Sequence, residues 1–232
     1  MHQGGTRVLV LGRGKTGSLI ARIASERGHA VQVLGAADNP EGRALTRDLL
    51  AEIDVVIDFT TPEAVTANLR SLLTQGARVV VGTTGWYGSL PEMERLALAN
   101  GGTLLHGTNF SLGVQAFFRA ARELVRGLNG ATLSIDETHH VTKKDAPSGT
   151  ALTLQRVVER AGGLSAPITS HREGDAAGLH RLTVRLPHET LVLTHEAGSR
   201  ESFAMGAVQA AEWLVGQPAG VWDFAEVATR LG

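Results

Sequence analysis

The sequence predicts an α/β fold in two parts, and three observations predict it. Residues 7–11 form an apolar run opening directly into Gly12-Arg13-Gly14-Lys15-Thr16-Gly17, followed by an amphipathic segment and a second apolar run. A glycine loop between a strand and a helix, inside a unit of about 30 residues, is the context that makes this pattern meaningful. Short apolar runs then alternate with helix-period segments as far as His106. Beyond Thr108 that alternation ends, and strand-like runs come at 131–139, 179–186 and 189–195; strands in succession typify an α+β arrangement. The expected architecture is an N-terminal Rossmann-like dinucleotide-binding domain, residues 1–108 with 208–232, plus a C-terminal α+β domain, residues 109–207, with an open mixed sheet.

Composition narrows the classes of function. The 232 residues are 43% hydrophobic and 19% charged, as in an ordinary globular protein. A formal net charge of −1 provides no global field for nucleic acid or an anionic membrane. The absence of cysteine removes disulfides, thiolate zinc sites and cysteine nucleophiles. No apolar run approaches the roughly 20 residues that span a bilayer, and residues 1–5 lack the apolar core of a signal peptide. A cytoplasmic protein that binds neither membrane nor nucleic acid is the expectation. With aromatics at 4%, base stacking is a poor candidate for a binding mode.

The elements follow in order. Arg7–Leu11 reads as a buried parallel strand. In the loop after it, Gly12 allows the turn, Gly14 lets a pyrophosphate approach the backbone, and Gly17 lets the helix pack on the strand. Residues 30–34 begin a second strand, and Asp38 beyond it can accept hydrogen bonds from ribose hydroxyls. Arg13, Lys15 and Arg43 are the cations available for a 2′-phosphate, so NADH and NADPH both stay open. Residues 54–59 form a third strand, Thr60-Thr61-Pro62 starts a helix, and 78–81 forms a fourth strand opening into Gly82-Thr83-Thr84-Gly85. Ligands bind at the C-terminal ends of parallel strands, which places the nicotinamide end of a cofactor beside Gly82, Thr83 and Thr84. A helix over 91–100 and a strand over 103–106 complete this part, and a longer helix follows Gly113 beyond the boundary near Thr108.

The densest chemistry lies in Glu137-Thr138-His139-His140-Val141-Thr142-Lys143-Lys144-Asp145-Ala146-Pro147-Ser148-Gly149-Thr150. A strand with Leu133, Ile135 and Glu137 on one face enters this loop. A helix carrying Ala151, Leu154, Val157, Val158 and Ala161 leaves it and stops at Gly162-Gly163. A helix N-terminus attracts carboxylate or phosphate. Ser148 and Thr150 add hydroxyls, Gly149 permits close approach, and His139, His140 and Lys143 supply charge or a proton. The alternative is a capped helix behind a solvated polar loop. No set of residues reads as a metal site.

These stretches resemble one family, the 4-hydroxy-tetrahydrodipicolinate (dihydrodipicolinate) reductases of lysine biosynthesis, across essentially the whole chain. Its residues are Gly12 to Gly17, Asp58-Phe59-Thr60, Gly82-Thr83-Thr84-Gly85, Asn109-Phe110-Ser111, Glu137 to His140, Lys143, Asp145 to Ala151, Ser199-Arg200 and Phe203-Ala204. The resemblance implies an NADH- or NADPH-dependent reduction of a cyclic unsaturated dicarboxylate by a homotetramer assembled through the C-terminal domain. It further implies His139 as catalytic histidine and Lys143 as proton donor, with His140, Lys143, Ser148, Gly149 and Thr150 on the substrate carboxylates. Gly12, Arg13, Gly14, Lys15, Thr16, Gly17, Asp38, Phe59, Gly82, Thr83, Thr84, Asn109, Phe110, Ser111, Arg200 and Phe203 would then surround the cofactor. The glycine loop is one residue shorter than the common family form, and Asn39 stands where a basic residue often follows the ribose-binding acid.

Two other readings compete. Another Rossmann-type amino-acid or imine dehydrogenase accounts for the first half equally well, without explaining the His-His-Lys loop. A non-enzymatic NAD(H)-sensing module would need a partner surface, and no basic stretch suggests one.

Overall fold

The computed structural model describes residues 5–231. Of the stretch 1–5 read for a signal peptide, only Gly5 is therefore among the described residues. The chain forms two compact units: one from residues 1–111 with 203–232, the other from 112–202.

The first unit is built on six strands: β1 (Arg7–Leu11), β2 (Ala30–Leu34), β3 (Val55–Asp58), β4 (Arg78–Val81), β5 (Thr103–His106) and β10 (Gly220–Asp223). They lie in the order β10-β5-β4-β3-β1-β2, and every pairing is parallel. A parallel sheet covered on both faces calls for continuous apolar strands, and all of β3 and the last four residues of β1 are buried. The connecting helices include α1 (Lys15–Glu26), α2 (Arg47–Ala51), α3 (Pro62–Thr74) and α4 (Leu90–Ala99). Leu69 and Leu72 of α3 and Met93 of α4 pack with Leu9, Val56 and Val79 in one core cluster. Glycine does specific work at two places. A Cβ at Gly17 would sit 2.1 Å from the Gly12 carbonyl oxygen, so the helix could not approach the strand this closely. Gly12 itself has φ 109°, a conformation that disfavours side chains.

Strand β10 and helix α2 do not stand out in the sequence. The strand is four residues beginning with glycine, and its identity comes from its partner, Val221 and Trp222 lying opposite Leu104 and Leu105. Helix α2 spans five residues, too short to display a period.

The second unit has four strands in the order β7-β6-β8-β9. Strand β6 (Thr132–His139) pairs parallel with β7 (Ile168–Arg172) and antiparallel with β8 (Leu179–Leu186), which forms a hairpin with β9 (Glu189–Glu196). Two helices, α5 (Leu112–Val125) and α6 (Gly149–Gly162), contribute Phe117, Phe118, Ala121, Leu154 and Val158 to its core against Leu133, Ile135 and Leu182. The mixed sheet was expected; β7 was not, because Ile-Thr-Ser-His-Arg shows no clear alternation. Helix α7 (Glu201–Val215) runs unbroken through residues 207 and 208, where the sequence reading put a domain seam. The structure divides the units at 202/203 instead, near the start of that helix. The other division, at 111/112, lies just ahead of α5 rather than after residue 108.

Candidate active site

In the first unit a cleft of about 340 Å³ opens at the C-terminal ends of β1 and β2, lined by Gly12, Arg13, Gly14, Gly35, Ala36, Asn39, Phe59 and Thr60 among others. Its chemistry suits a dinucleotide. Helix α1 begins at the cleft with no side-chain cap and no acidic residue in its first turn, leaving the positive end of its dipole for an anion. A Cβ on Gly14 would meet nothing within 4 Å, so there is room against the backbone for a phosphate. Lys15 and Thr16 stand on the first turn of α1, outside the set that lines the cleft.

Asp38 lies four residues beyond the end of β2, in a turn rather than on the strand. One carboxylate oxygen accepts the Gly35 backbone N–H at 2.8 Å and pairs with Arg13 Nη1 at 2.8 Å. The acid proposed for the ribose and a cation proposed for a 2′-phosphate are therefore in contact. Arg43, the other candidate, pairs with Glu41.

Behind the cleft is a polar network that the sequence reading gave no role. Asp58, fully buried at the end of β3, accepts from the Thr60 hydroxyl (2.6 Å), the Thr60 backbone N–H (3.0 Å), the Thr83 hydroxyl (3.0 Å) and Asn68 Nδ2 (2.9 Å). Asn39 Nδ2 in turn donates to Asn68 Oδ1 at 2.9 Å. Burial raises the Asp58 carboxyl above its ordinary range, and these donors offset part of that rise. The network fixes the loops after β3 and β4, holding Thr83 in place. Nearby, Gly82 is shaped by Phe59: a Cβ there would lie 2.1 Å from the ring. Phe59 meets Phe110 edge-on with centroids 5.7 Å apart, and Asn109 Oδ1 accepts the Ser111 N–H at 2.9 Å. Thr84 is exposed and Phe203 half-buried, both in this unit; Arg200 is exposed and belongs to the other.

The second unit holds the histidine loop. Strand β6 alternates so that Leu133, Ile135, Glu137 and His139 are buried. Glu137, completely buried, hydrogen-bonds His139 Nδ1 through one oxygen. Its other oxygen accepts both terminal nitrogens of Arg172 at 3.1 Å and the Ser148 N–H at 3.3 Å. Burial raises the Glu137 carboxyl, but Ser170, Arg172 and His139 outweigh it and hold the group below the usual carboxylate range. Burial pushes His139 downward, against the opposing pull of Glu137.

Opposite Glu137 in the sheet is His180, whose Nε2 lies 3.2 Å from the Ser148 hydroxyl and whose ring stands edge-on to His139 at 5.1 Å. Burial, reinforced by His139 and His195, lowers His180 to about 4. Ser148 caps α6, accepting the Ala151 N–H at 3.2 Å. A Cβ on Gly149 would meet nothing within 4 Å, and the first turn of α6, which includes Thr150, holds no acid. Lys143 Nζ donates to both oxygens of Asp145 at 2.8 and 2.9 Å. His140 Nδ1 lies 2.7 Å from the Thr142 hydroxyl.

The structure thus gathers His139, Lys143, Ser148, Gly149 and Thr150 around one strand end and one helix start. Arg172 and His180 escaped the sequence reading. Arg172 sits on the unread strand β7, whereas His180 shared the inward phase of Leu182 and Val184 and was legible as an inward residue. Glu137, His139 and His180 also offer ligand atoms within 4.8 Å of one another, as in a metal site. The guanidinium of Arg172 on the same carboxylate disfavours a cation there, and hydrogen bonding accounts for the cluster.

A nucleotide cleft at a glycine loop, with a separate unit presenting histidine, lysine and a helix N-terminus, defines a two-domain dinucleotide-dependent oxidoreductase. Comparison with known proteins specifies which. Residues 6–100 match the family model for the dihydrodipicolinate reductase N-terminus, and residues 113–228 the model for its C-terminus. The chain belongs to this family. The 4-hydroxy-tetrahydrodipicolinate reductase of Natronomonas pharaonis is 39% identical, with 94% of this chain and 97% of that protein covered. The enzyme of the same name from Christiangramia forsetii is 34% identical over 97% and 98% of the two chains. Among solved structures, the dipicolinate-bound dihydrodipicolinate reductase from Paenisporosarcina sp. TG-14 has the same fold. It superposes with a TM-score of 0.75 at 23% identity, over 94% of this chain and 97% of that one. The amine dehydrogenase of Mycobacterium smegmatis has a TM-score of 0.65 at 12% identity, with coverage of 97% and 96%. Among the described residues, no helix is long and apolar enough to cross a membrane.

Proposed function

We propose that this chain reduces 4-hydroxy-2,3,4,5-tetrahydrodipicolinate to 2,3,4,5-tetrahydrodipicolinate in the diaminopimelate route to lysine, using NADH or NADPH. Balanced, the reaction adds a hydride and a proton and releases water. The observation that carries the reading is the meeting of His139, Lys143 and Ser148 at the N-terminus of α6, beside a buried Glu137. When bound, the nicotinamide supplies the hydride. Gly12 to Gly17 hold the pyrophosphate at the start of α1, Asp38 takes the ribose hydroxyls, and Arg13 takes a 2′-phosphate when one is present. Gly82, Thr83, Thr84, Phe59, Asn109, Phe110, Ser111, Arg200 and Phe203 complete the cofactor contacts.

The substrate carries two carboxylates. Ser148, Gly149, Thr150 and His140 bind them, with the helix dipole and hydroxyls as the attractive elements. Hydride addition to a conjugated ring leaves negative charge on it, and an acid must quench that charge. Lys143 gives the proton, held by Asp145 until substrate arrives, and His139 is the second acid–base group. The protein acts in the cytoplasm as a homotetramer; the half-exposed Val192 on edge strand β9 is one apolar residue available to such contacts.

The test follows NADH and NADPH absorbance separately, with substrate formed in place from pyruvate and aspartate semialdehyde by the synthase. Rapid synthase-dependent oxidation supports the reading. Cofactor binding without oxidation returns the chain to the class of imine or amino-acid dehydrogenases. Light scattering coupled to size exclusion measures the assembly, and a monomer would remove the tetramer.

A further inference from the structure

Glu137 is a carboxylate in an unusual position: wholly buried, on the inner face of a strand, two residues before the histidine assigned to catalysis. An isolated charge there would be strongly disfavoured. Arg172 compensates it. Its two terminal nitrogens reach one Glu137 oxygen at 3.1 Å, and the same guanidinium donates to the carbonyls of His171 (2.6 Å), Lys143 (3.4 Å) and Asp145. The Ser148 N–H adds a third donor to that oxygen. The remaining oxygen meets His139 Nδ1, and the Ser170 side chain also hydrogen-bonds this carboxylate. A carboxylate whose charge is already met by a guanidinium does not need an imidazolium as well. It needs only an N–H donor, so His139 can be neutral with its proton on Nδ1. Nε2 then becomes the nitrogen that exchanges protons. It faces Gly178, where a Cβ would lie 3.1 Å away, and the absence of a side chain there keeps space open beside it.

We propose that Glu137 is a positioning residue, clamped by Arg172 and the Ser148 N–H, that holds a proton on His139 Nδ1 and so leaves Nε2 to exchange protons with the ligand. This rests on the reading of His139 as a catalytic group. The arginine that fixes Glu137 also ties down the backbone of the Lys143–Asp145 loop, so both acid–base groups take their placement from one guanidinium.

Glu137→Gln makes a sharp test in the full-length protein. To keep an acceptor facing Arg172, the amide must turn its NH₂ toward His139. Nδ1 then has to accept, and the proton moves to Nε2. Nitrogen-15 spectra of the imidazoles, with His139 assigned by comparison with His139→Gln, should show protonated Nδ1 in the parent and protonated Nε2 in the variant. Turnover should fall at least ~10²-fold with KM within about threefold, as expected when an orienting acid behind a catalytic histidine is neutralised. An unchanged tautomer overturns the proposal. So does parental turnover in Glu137→Gln while His139→Gln is inactive. If His139→Gln itself turns over normally, the catalytic assignment fails, and the tautomer alone then judges the positioning. Should Glu137→Gln not fold, Arg172→Gln replaces it. With the guanidinium gone, the carboxylate should draw a second proton onto His139, so that both ring nitrogens are protonated at pH 7. A neutral ring in that variant overturns the proposal.

Discussion

Replacing His180 with glutamine should flatten the acid limb of the stability curve, by an amount that can be worked out beforehand. His180 is 4% exposed, Nε2 meets the Ser148 hydroxyl, and Nδ1 is buried without a hydrogen-bond partner. Burial first, and then the charges of His139 and His195, disfavour a proton on this ring and lower the group to about 4 from 6.5, against a weaker opposing pull from Glu137. The unfolded chain therefore binds a proton on this residue between those two values while the folded chain does not, and stability rises with pH across that window. The stabilisation is fully present above about 6.5 and disappears as pH falls through about 4. A shift of this size corresponds to about 3 kcal/mol in all, of which about 2 kcal/mol is lost by pH 5. His139 and His195 are also lowered by burial, so both proteins weaken on acidification. Glutamine retains an amide donor for Ser148 and cannot titrate, and the difference between the two curves isolates His180. Urea unfolding at intervals between pH 7.5 and 4.5 measures it. The gap between parent and His180→Gln should close, or reverse, by about 2 kcal/mol between pH 7 and 5. Parallel curves would refute the assignment of a buried, neutral histidine.

Lys143→Ala should reduce turnover by ~10²–10⁴, the usual range for a positioned proton donor, while NADH binding, read by fluorescence, survives; undiminished turnover would remove Lys143 from the chemistry. Arg13→Ala should lower kcat/KM for NADPH by about tenfold, the scale of one charge-assisted hydrogen bond. NADH should change less, since Asp38 loses only its partner, and equal losses for both would count against Arg13 as a phosphate ligand. Glu212→Gln removes the pair with Arg27 (2.7 Å) and the contact with His29 (2.8 Å). Burial raises Glu212, but Arg27 and His29 hold it below its ordinary value of 4.5. Its stabilisation, about 1 kcal/mol, should be present above that value and be lost as pH falls further, so parent and variant should converge in denaturant near pH 3.

Much of the first unit was legible because physics writes parallel sheets plainly. Buried strands such as β1 and β3 are unbroken apolar runs, and Gly12 and Gly17 are required by contacts that a side chain would close. The His-His-Lys loop was legible for a related reason: so many ionisable groups between a strand and a capped helix are hard to explain as a solvated surface. What stayed hidden depends on partners remote in sequence. Arg172 becomes significant only when the β6–β7 register sets Ser170 against Glu137 and Arg172 against His139. The Asp58 network joins residues 39, 58, 60, 68 and 83, no spacing of which forms a pattern. The turn after β2 gives Asp38 the distant Arg13 as a partner, a contact that no spacing in the sequence encodes.

The first unit is discontinuous, with β10 completing an edge whose neighbour β5 lies more than a hundred residues earlier in the chain. During synthesis the ribosome delivers β5 and then the whole second unit before that closing strand appears. Throughout this interval β5 presents an unpaired backbone edge flanked by apolar Leu104 and Leu105, the kind of surface that recruits other strands. The second unit, whose strands and helices are contiguous in the chain, can fold while the first waits. Order of emergence, rather than final stability, is then the stage at which a nascent molecule is most exposed to aggregation. Shortening the chain ahead of residue 220 would make that passing exposure permanent.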